Sequence, residues 1–293
     1  MKILLLGATG YLGRAYAQAK APAGVTLVSV NRETVDYYNP VKLRTKIREE
    51  RAEVLLNCSG YTGKPNVDEC EKNQDLCFRL NVLWPEQLAQ LAAECKTQLV
   101  QIGSGCIYQG VPHPEDPEKG FREEDEPNFS FDHPPCSFYS GTKAEMEKRI
   151  RHLPGVSIWR LRMPFTSRWD GRNLLCKLSK YPKILEARNS ITDLSEMIEV
   201  SLRMLAARVP AGIYNLTNPG IVANSEIVEM LVRHGIRTQP AVFFTSLREI
   251  GEAMHAPRSA CILDSSKISK LGYPMRPIQD ALELAMRAMK AGL

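Results

Sequence analysis

Short, nearly continuous apolar runs alternate with longer amphipathic segments along the first half of this chain. The runs are Ile3–Leu6, Val25–Val30, Val54–Leu56, Leu99–Ile102 and Val156–Leu161. Between them the spacing predicts helices over Leu12–Lys20, Val41–Glu50, Asn66–Cys95 and Phe138–Arg151. Strands that are apolar on both faces and separated by helices predict a parallel sheet covered on both sides. Asn39-Pro40 reads as a helix start, with Pro at the first helical position. Pro85 should split or kink the Asn66–Cys95 stretch. After Arg162 the rhythm weakens, with a helix expected at Thr192–Ala207 and a strand at Ile213–Leu216. The expected architecture is α/β: a Rossmann-type, doubly wound parallel sheet over residues 1–165 with a smaller C-terminal substrate lobe over 166–293. Residues 192–217 should return to the sheet domain. A Pro-rich, acidic stretch from Val111 to Pro135 reads as a long surface loop of the kind that often serves as a lid.

Composition narrows the picture only slightly. The chain has 293 residues, 44% of them hydrophobic and 24% charged, as in ordinary globular proteins. Its net charge of +5 suits an anionic substrate without requiring one. No Lys/Arg block points to nucleic acid, and no apolar run approaches a membrane span. The eight cysteines are scattered and lack metal-ligand spacing, so neither a metal site nor a disulfide framework is expected. The apolar start is too short for a secretory signal, which makes the cytoplasm the expected compartment and leaves the Asn57 and Asn128 glycosylation patterns as chance matches. The sequence leaves a homodimer open.

Three strings carry chemistry. Gly7-Ala-Thr9-Gly10-Tyr11-Leu12-Gly13 follows the first strand and opens a helix. A pyrophosphate must approach backbone N–H groups at such a turn, and side chains there would block it. After the second strand comes Asn31-Arg32 where an acid would grip the ribose hydroxyls of NAD. Arg32 favours the extra phosphate of NADPH over NADH, although the neighbouring Glu33 pulls the other way.

Tyr and Lys four apart share a helix face, and the ammonium lowers the cost of ionising the phenol. The spacing occurs at Tyr16/Lys20, Tyr38/Lys42 and Tyr139/Lys143. Only the last follows a strand ending in a hydroxyl residue, Ser104, at the sheet edge where ligands bind. Tyr139 would give a proton to a carbonyl oxygen, with Lys143 tuning it and Ser104 bonding the same oxygen. If the chain stays extended, Cys106 points to the same side as Ser104. Simple ketone reduction has no use for that thiol. A ketone does acidify the hydrogens on its two neighbouring carbons, and an acid/base pair could invert them. A cysteine is more often a small buried hydrophobe, and Lys177 alone reads as a solvated helix lysine.

At these residues the chain resembles the nucleotide-rhamnose synthase/epimerase-reductases, extended short-chain dehydrogenases related to dTDP-4-dehydrorhamnose reductases. The resemblance rests on Asn57–Asp68, Gly103–Tyr108, Gly120–Phe129, Ser137–Lys143, Arg160–Pro164, Gly212–Gly220 and Ala256–Ser259. It implies a 3,5-epimerase/4-reductase of a nucleotide-linked 4-keto-6-deoxyhexose, with NADPH as cofactor, a nucleotide-sugar as partner and UDP-rhamnose as the expected product. It implies epimerase roles for Cys106 and Lys177, cofactor contacts from Cys58, Ser59 and Gly60, and substrate contacts from Thr62, Lys64, Asn66, Met163, Pro164, Asn173 and Arg258. Where relatives carry Thr, this chain has Ser104, which keeps the hydroxyl. The Ser130–Ser137 stretch looks longer than in plant relatives and leaves UDP against dTDP open. A reductase that needs a pre-epimerised ketose is the nearest alternative. A non-catalytic regulatory subunit of the same fold is another, and the intact Ser104/Tyr139/Lys143 set argues against it.

Overall fold

The computed structural model describes residues 1–116, 119–245 and 247–292. In chain order it runs β1 (Lys2–Leu6), α1 (Tyr11–Ala17), β2 (Thr26–Val30), α2 (Pro40–Glu50), β3 (Val54–Asn57), α3 (Asp68–Lys72), α4 (Gln74–Phe78), a π-turn at Arg79–Leu83, α5 (Trp84–Glu94), β4 (Gln98–Ser104), α6 (Phe138–Ile150) and β5 (Val156–Leu161). There follow β6 (Pro164–Phe165), α7 (Leu174–Lys180), β7 (Lys183–Ile184), β8 (Arg188–Asn189), β9 (Thr192–Asp193), α8 (Leu194–Ala206) and β10 (Ile213–Asn215). The chain ends with β11 (Val222–Ala223), α9 (Asn224–Arg233), β12 (Val242–Phe243), α10 (Leu247–Ala253), α11 (Ser266–Lys270) and α12 (Ile278–Ala291).

The main sheet has the order β10-β5-β4-β3-β1-β2 with every pairing parallel. Its central strands are mostly apolar because both faces are covered. On one face Ile3, Leu5, Leu56 and Val100 pack with Tyr16 of α1 and Met197 and Leu202 of α8. On the other, Leu4, Leu6 and Leu55 pack with Leu43 and Ile47 of α2, Leu88 of α5 and Met146 of α6. From β1 the chain passes to β2 on one side and β3 on the other, so a crevice opens at the carboxyl ends of β1 and β3. A separate cluster, including Leu175, Leu178, Ile227, Leu231, Leu282 and Met286, forms the core of the C-terminal part.

Local chemistry explains most boundaries. The Asn39 side chain accepts from the Val41 and Lys42 N–H groups at 3.0 and 3.2 Å, with Pro40 opening α2. Asp193 caps α8 in the same way, so that helix starts at Leu194 rather than Thr192. The Asn66–Cys95 stretch breaks earlier than expected. Pro85 has no N–H to offer the Asn81 carbonyl one turn back, and the backbone widens into the π-turn at Arg79–Leu83.

The Val111–Pro135 stretch departs most from expectation. Residues 117 and 118 lie outside the described residues, but the rest is not an open lid. Phe121 bonds backbone to backbone with Ile262 and Asp264, and Phe121, Glu123 and Phe129 are buried. The Arg160 guanidinium reaches the Glu123 carbonyl and pairs with Glu147 of α6 at 2.7 Å, with both side chains almost fully buried. Removing one member of such a pair strands a buried charge. Glu147→Gln is therefore expected to cost ~3–5 kcal/mol of stability, read as a lower urea midpoint. A change within a few tenths would mean the pair is not desolvated in solution.

Candidate active site

The crevice begins at the glycine turn. Gly7 adopts φ +77°, and a Cβ there would lie 2.7 Å from the Ser59 nitrogen. A Cβ on Gly13 would lie 2.1 Å from the Gly7 carbonyl oxygen. These positions admit only glycine without a shift of backbone. Gly10 opens α1 with no side chain capping it, and Thr9 and Gly10 are exposed, so the N–H groups of the first turn, from Tyr11, Leu12 and Gly13, are left to a ligand. This cradle fits a dinucleotide pyrophosphate. Cys58, Ser59 and Gly60 follow β3 and line the other wall. The Asn57 carboxamide fixes them, accepting from the Ser59 N–H and hydroxyl while donating to Gln101.

At the end of β2, Asn31 is spent on its own turn, its oxygen accepting from the Glu33 and Thr34 N–H groups. Arg32 is exposed beside Tyr37. The structure thus separates the two residues that the sequence grouped. Asn31 shapes the loop, and Arg32 is the group available to a phosphate.

Ser137 caps α6 by accepting from the Ser140 N–H, which sets Tyr139 and Lys143 on the helix side that faces the end of β4. Lys143 is buried. Its ammonium donates to the Ile102 carbonyl at 3.3 Å and lies 5.9 Å from the Tyr139 ring centre. Burial lowers the Lys143 pKa. Burial also holds the Tyr139 phenol well above its ordinary value, with the Cys106, Cys70 and Cys77 thiols adding to the rise and Ser104 partly offsetting it. The phenol therefore stands protonated at neutral pH, as a proton donor must.

The chain does not stay extended past Ser104. It tightens into a 3₁₀ turn over Gly105–Ile107, and the Ser104 hydroxyl accepts from the Cys106 N–H at 3.2 Å. This cap, rather than strand alternation, brings serine and cysteine together. The half-buried Cys106 thiol interacts with the Ser104 and Ser140 hydroxyls and feels the Lys143 and Arg162 charges, while burial raises its pKa. Its other side rests on a cluster that includes Ile107, Tyr108 and Ala144.

Asn81 completes this wall and was not anticipated. It is buried in the π-turn, accepts from the Tyr61 N–H at 2.8 Å and donates to the Tyr61 carbonyl at 2.8 Å, with Thr142 at 3.3 Å. A Cβ on Gly60 would sit 3.1 Å from the Asn81 oxygen and 4.0 Å from the Lys143 nitrogen. The signal was an asparagine on the buried side of an apolar helix just before a proline.

The C-terminal part closes the crevice through three polar links. Arg14 pairs with Asp170 at 2.7 Å, Arg172 donates to the Thr62 hydroxyl at 2.6 Å and the Gly63 carbonyl at 2.8 Å, and Arg258 pairs with Asp68. Lys177 on α7 is half-buried near Arg172, Asp170 and Arg258, and burial lowers its pKa. Of the residues expected to touch substrate, Lys64 is exposed, and Asn66 accepts from the Asp68 N–H. Met163 takes an unusual φ of +41° just ahead of Pro164, a kind of strain that concentrates at ligand sites. Asn173 is different. It is fully buried, its amide donates to the Thr166 and Arg168 carbonyls, and its oxygen caps α7. Its side chain is fully engaged in building the loop before Lys177, which leaves no polar group free for a substrate.

The sequence matches the RmlD substrate binding domain family over residues 1–291. The chain belongs to that family. Its curated relatives include named reductases and epimerases. The chain is 34% identical over 281 residues to a bifunctional dTDP-4-dehydrorhamnose 3,5-epimerase/dTDP-4-dehydrorhamnose reductase of Arabidopsis thaliana, covering 95% of this chain and 90% of that protein. It is 35% identical over 286 residues to an Arabidopsis trifunctional UDP-glucose 4,6-dehydratase/UDP-4-keto-6-deoxy-D-glucose 3,5-epimerase/UDP-4-keto-L-rhamnose-reductase. That match covers 96% of this chain but 41% of the plant protein, so the chain spans about two fifths of that relative. The crystal structure of the L780 UDP-rhamnose synthase from Acanthamoeba polyphaga mimivirus has the same fold, with a TM-score of 0.87 at 24% identity over 98% of this chain and 99% of that one. Among the described residues of this RmlD-family chain, no helix is long and apolar enough to cross a membrane.

Proposed function

We propose that this chain is an NADPH-dependent 3,5-epimerase/4-reductase of a nucleotide-linked 4-keto-6-deoxyhexose, most simply the UDP sugar. The observation that carries the reading is the Cys106 thiol set against Ser104 and within the field of Tyr139 and Lys143. A reductase alone gives that sulfur no task. Gly7, Gly10, Gly13 and Ser59 would hold the dinucleotide, and Arg32 its extra phosphate. Bound there, the reduced nicotinamide supplies hydride.

The chain's own groups do the rest. Ser104 and Tyr139 hold the C4 carbonyl oxygen by hydrogen bonds, which stabilises the negative charge that grows there when a neighbouring C–H loses its proton. Cys106 and Lys177 exchange the protons at C3 and C5. Burial raises the thiol and lowers the ammonium, which favours the protonated sulfur as acid and the neutral amine as base. Such a pair supplies the acid and the base that inversion of a carbon needs. Tyr139 then gives its proton to the C4 oxygen as reduction completes, with Lys143 beside it stabilising the phenolate left behind. Epimerisation must come first, because an alcohol at C4 no longer acidifies its neighbours.

The test is to mix the protein with NADPH and either UDP- or dTDP-4-keto-6-deoxyglucose and identify the product. A nucleotide-rhamnose supports the reading. A 4-reduced sugar with C3 and C5 unchanged would leave a reductase only. Arg32→Ala should raise the KM for NADPH about tenfold or more, the worth of a hydrogen bond to a charged group, and leave that for NADH nearly unchanged. Equal effects on the two cofactors would remove Arg32 from the phosphate site.

A further inference from the structure

Residues 259–263 pack against the Cys106 turn, and the chemistry given above assigns them no task. The buried Gly105 carbonyl, which opens the turn, accepts from the Tyr108 N–H at 3.2 Å and from the Cys261 thiol at 3.1 Å. A Cβ on Gly105 would lie 2.7 Å from a Leu263 methyl carbon, so the turn and this segment lie in close contact. Ser259 donates to the Tyr108 carbonyl, and the Gly110 N–H donates to the Ala260 carbonyl at 2.7 Å. Cys106 itself packs on the cluster that holds Cys261 and Leu263.

Cys261 is anchored in its turn. Its N–H donates to the Asn189 side-chain oxygen at 3.1 Å, and the same oxygen accepts from the Arg162 guanidinium. Arg162 also donates to the Ser259 carbonyl at 2.7 Å. Arg162 is buried, and among the described residues its guanidinium bonds only Asn189 and Ser259, with no carboxylate beside it. Burying a cation without a counter-charge is costly, so its neutral acceptors must be firmly placed. The Leu263 N–H is fixed as well, donating to the Ser190 hydroxyl at 2.9 Å.

We propose that Cys261 is a positioning residue for Cys106: its thiol holds the Gly105 carbonyl and so sets the Gly105–Ile107 turn, while Asn189 and Arg162 hold Cys261. This rests on the acid/base role given to Cys106 above. A carbonyl oxygen has two lone pairs, and here Tyr108 takes one and Cys261 the other. Without the thiol, the turn keeps only its own internal bond. Proton transfer to and from carbon is sensitive to such a loss, because a misplacement of about 1 Å can cost ~10²-fold.

The test compares three replacements of Cys261 in the intact chain. Cys261→Ser keeps a donor for the Gly105 carbonyl. Cys261→Ala and Cys261→Val remove it, the first leaving space and the second filling it. Iodoacetamide labelling, read peptide by peptide, follows the Cys106 thiol itself, and solvent deuterium exchange into UDP-4-keto-6-deoxyglucose follows its work. The alanine and valine variants should label Cys106 faster and exchange ~10-fold more slowly, while the serine variant keeps both rates close to those of the unaltered chain. Cys106 labelling that is unchanged in all three would overturn the proposal. A valine variant that matches the unaltered chain while the serine variant does not would also overturn it, by making Cys261 a packing residue. Should Cys261→Ala fail to fold, the serine and valine variants decide. If Cys106 labelling follows the donor but deuterium exchange does not, the brace stands and the acid/base role of Cys106 falls.

Discussion

Tyr139→Phe should lower the rate of 4-keto sugar reduction by ~10²–10⁴-fold, the usual contribution of a positioned proton donor. The phenol is the proposed donor, with Lys143 and Ser104 beside it. The ring remains in the variant, so the pocket keeps its shape and the loss falls on kcat rather than on KM. NADPH consumption with a ketose that needs no epimerisation isolates the step. The sign of the pH dependence follows from burial. The Tyr139 pKa is raised, so the donor form persists through the neutral range and reduction should not decline as pH rises from 6 toward 9. Undiminished turnover in the phenylalanine variant would reassign the donor.

Cys106→Ala should have a comparably large effect on a different step. Solvent deuterium should fail to enter one of the two carbons next to the carbonyl, and net formation of the rhamnose-configured product should stop. Reduction of a pre-epimerised ketose should fall far less. The contrast follows from position. The thiol lies beside Ser104 and Ser140, whereas the proposed donor of the C4 proton is Tyr139. Cys106→Ser, which keeps the shape and offers a much weaker acid, should resemble Cys106→Ala in exchange. Equal loss of both steps in Cys106→Ala would indicate a packing role against Ile107 and Tyr108 instead.

These two predictions use residues that the sequence put forward, and the physical reason is local. A strand buried on both faces needs an unbroken apolar run, so β1, β3, β4 and β5 stand out. The glycine turn and the Tyr139/Lys143 pair sit at fixed offsets from those strands. Where the sequence misled, the deciding partner lay far along the chain. Nothing in Val111–Pro135 announces that Phe121 will pair with Ile262, or that Glu123 will be sealed beneath Arg160. Asn173 looked like a polar residue placed for a ligand, and only the fold shows its amide consumed by Thr166 and Arg168. Arg172 drew no attention because a lone arginine in a loop has no spacing to betray it, and its importance depends on Thr62 arriving from the other wall. Asn81 was legible in part: the proline four residues on predicted a break, but not that the widened turn would carry a side chain to the pocket wall.

The fold also explains how two reactions could share one chamber. In the proposed reading Ser104 and Tyr139 hold the carbonyl oxygen from the β4–α6 side. The glycine turn follows β1, Cys58, Ser59 and Gly60 follow β3, and Lys177 lies on α7. Three polar links, Arg14–Asp170, Arg172–Thr62 and Arg258–Asp68, hold the C-terminal part over the strand ends. The proposed epimerase role asks that a sugar seated there meet the thiol on the β4 side and the amine on the α7 side.

The most direct measurement is a single turnover in heavy water, with UDP-4-keto-6-deoxyglucose and NADPH, followed by NMR of the product sugar. If one pocket performs both proton exchange and reduction, the product is UDP-rhamnose with deuterium at C3 and at C5 and the cofactor's hydrogen at C4. A reduced sugar with protium at both neighbouring carbons would contradict the account.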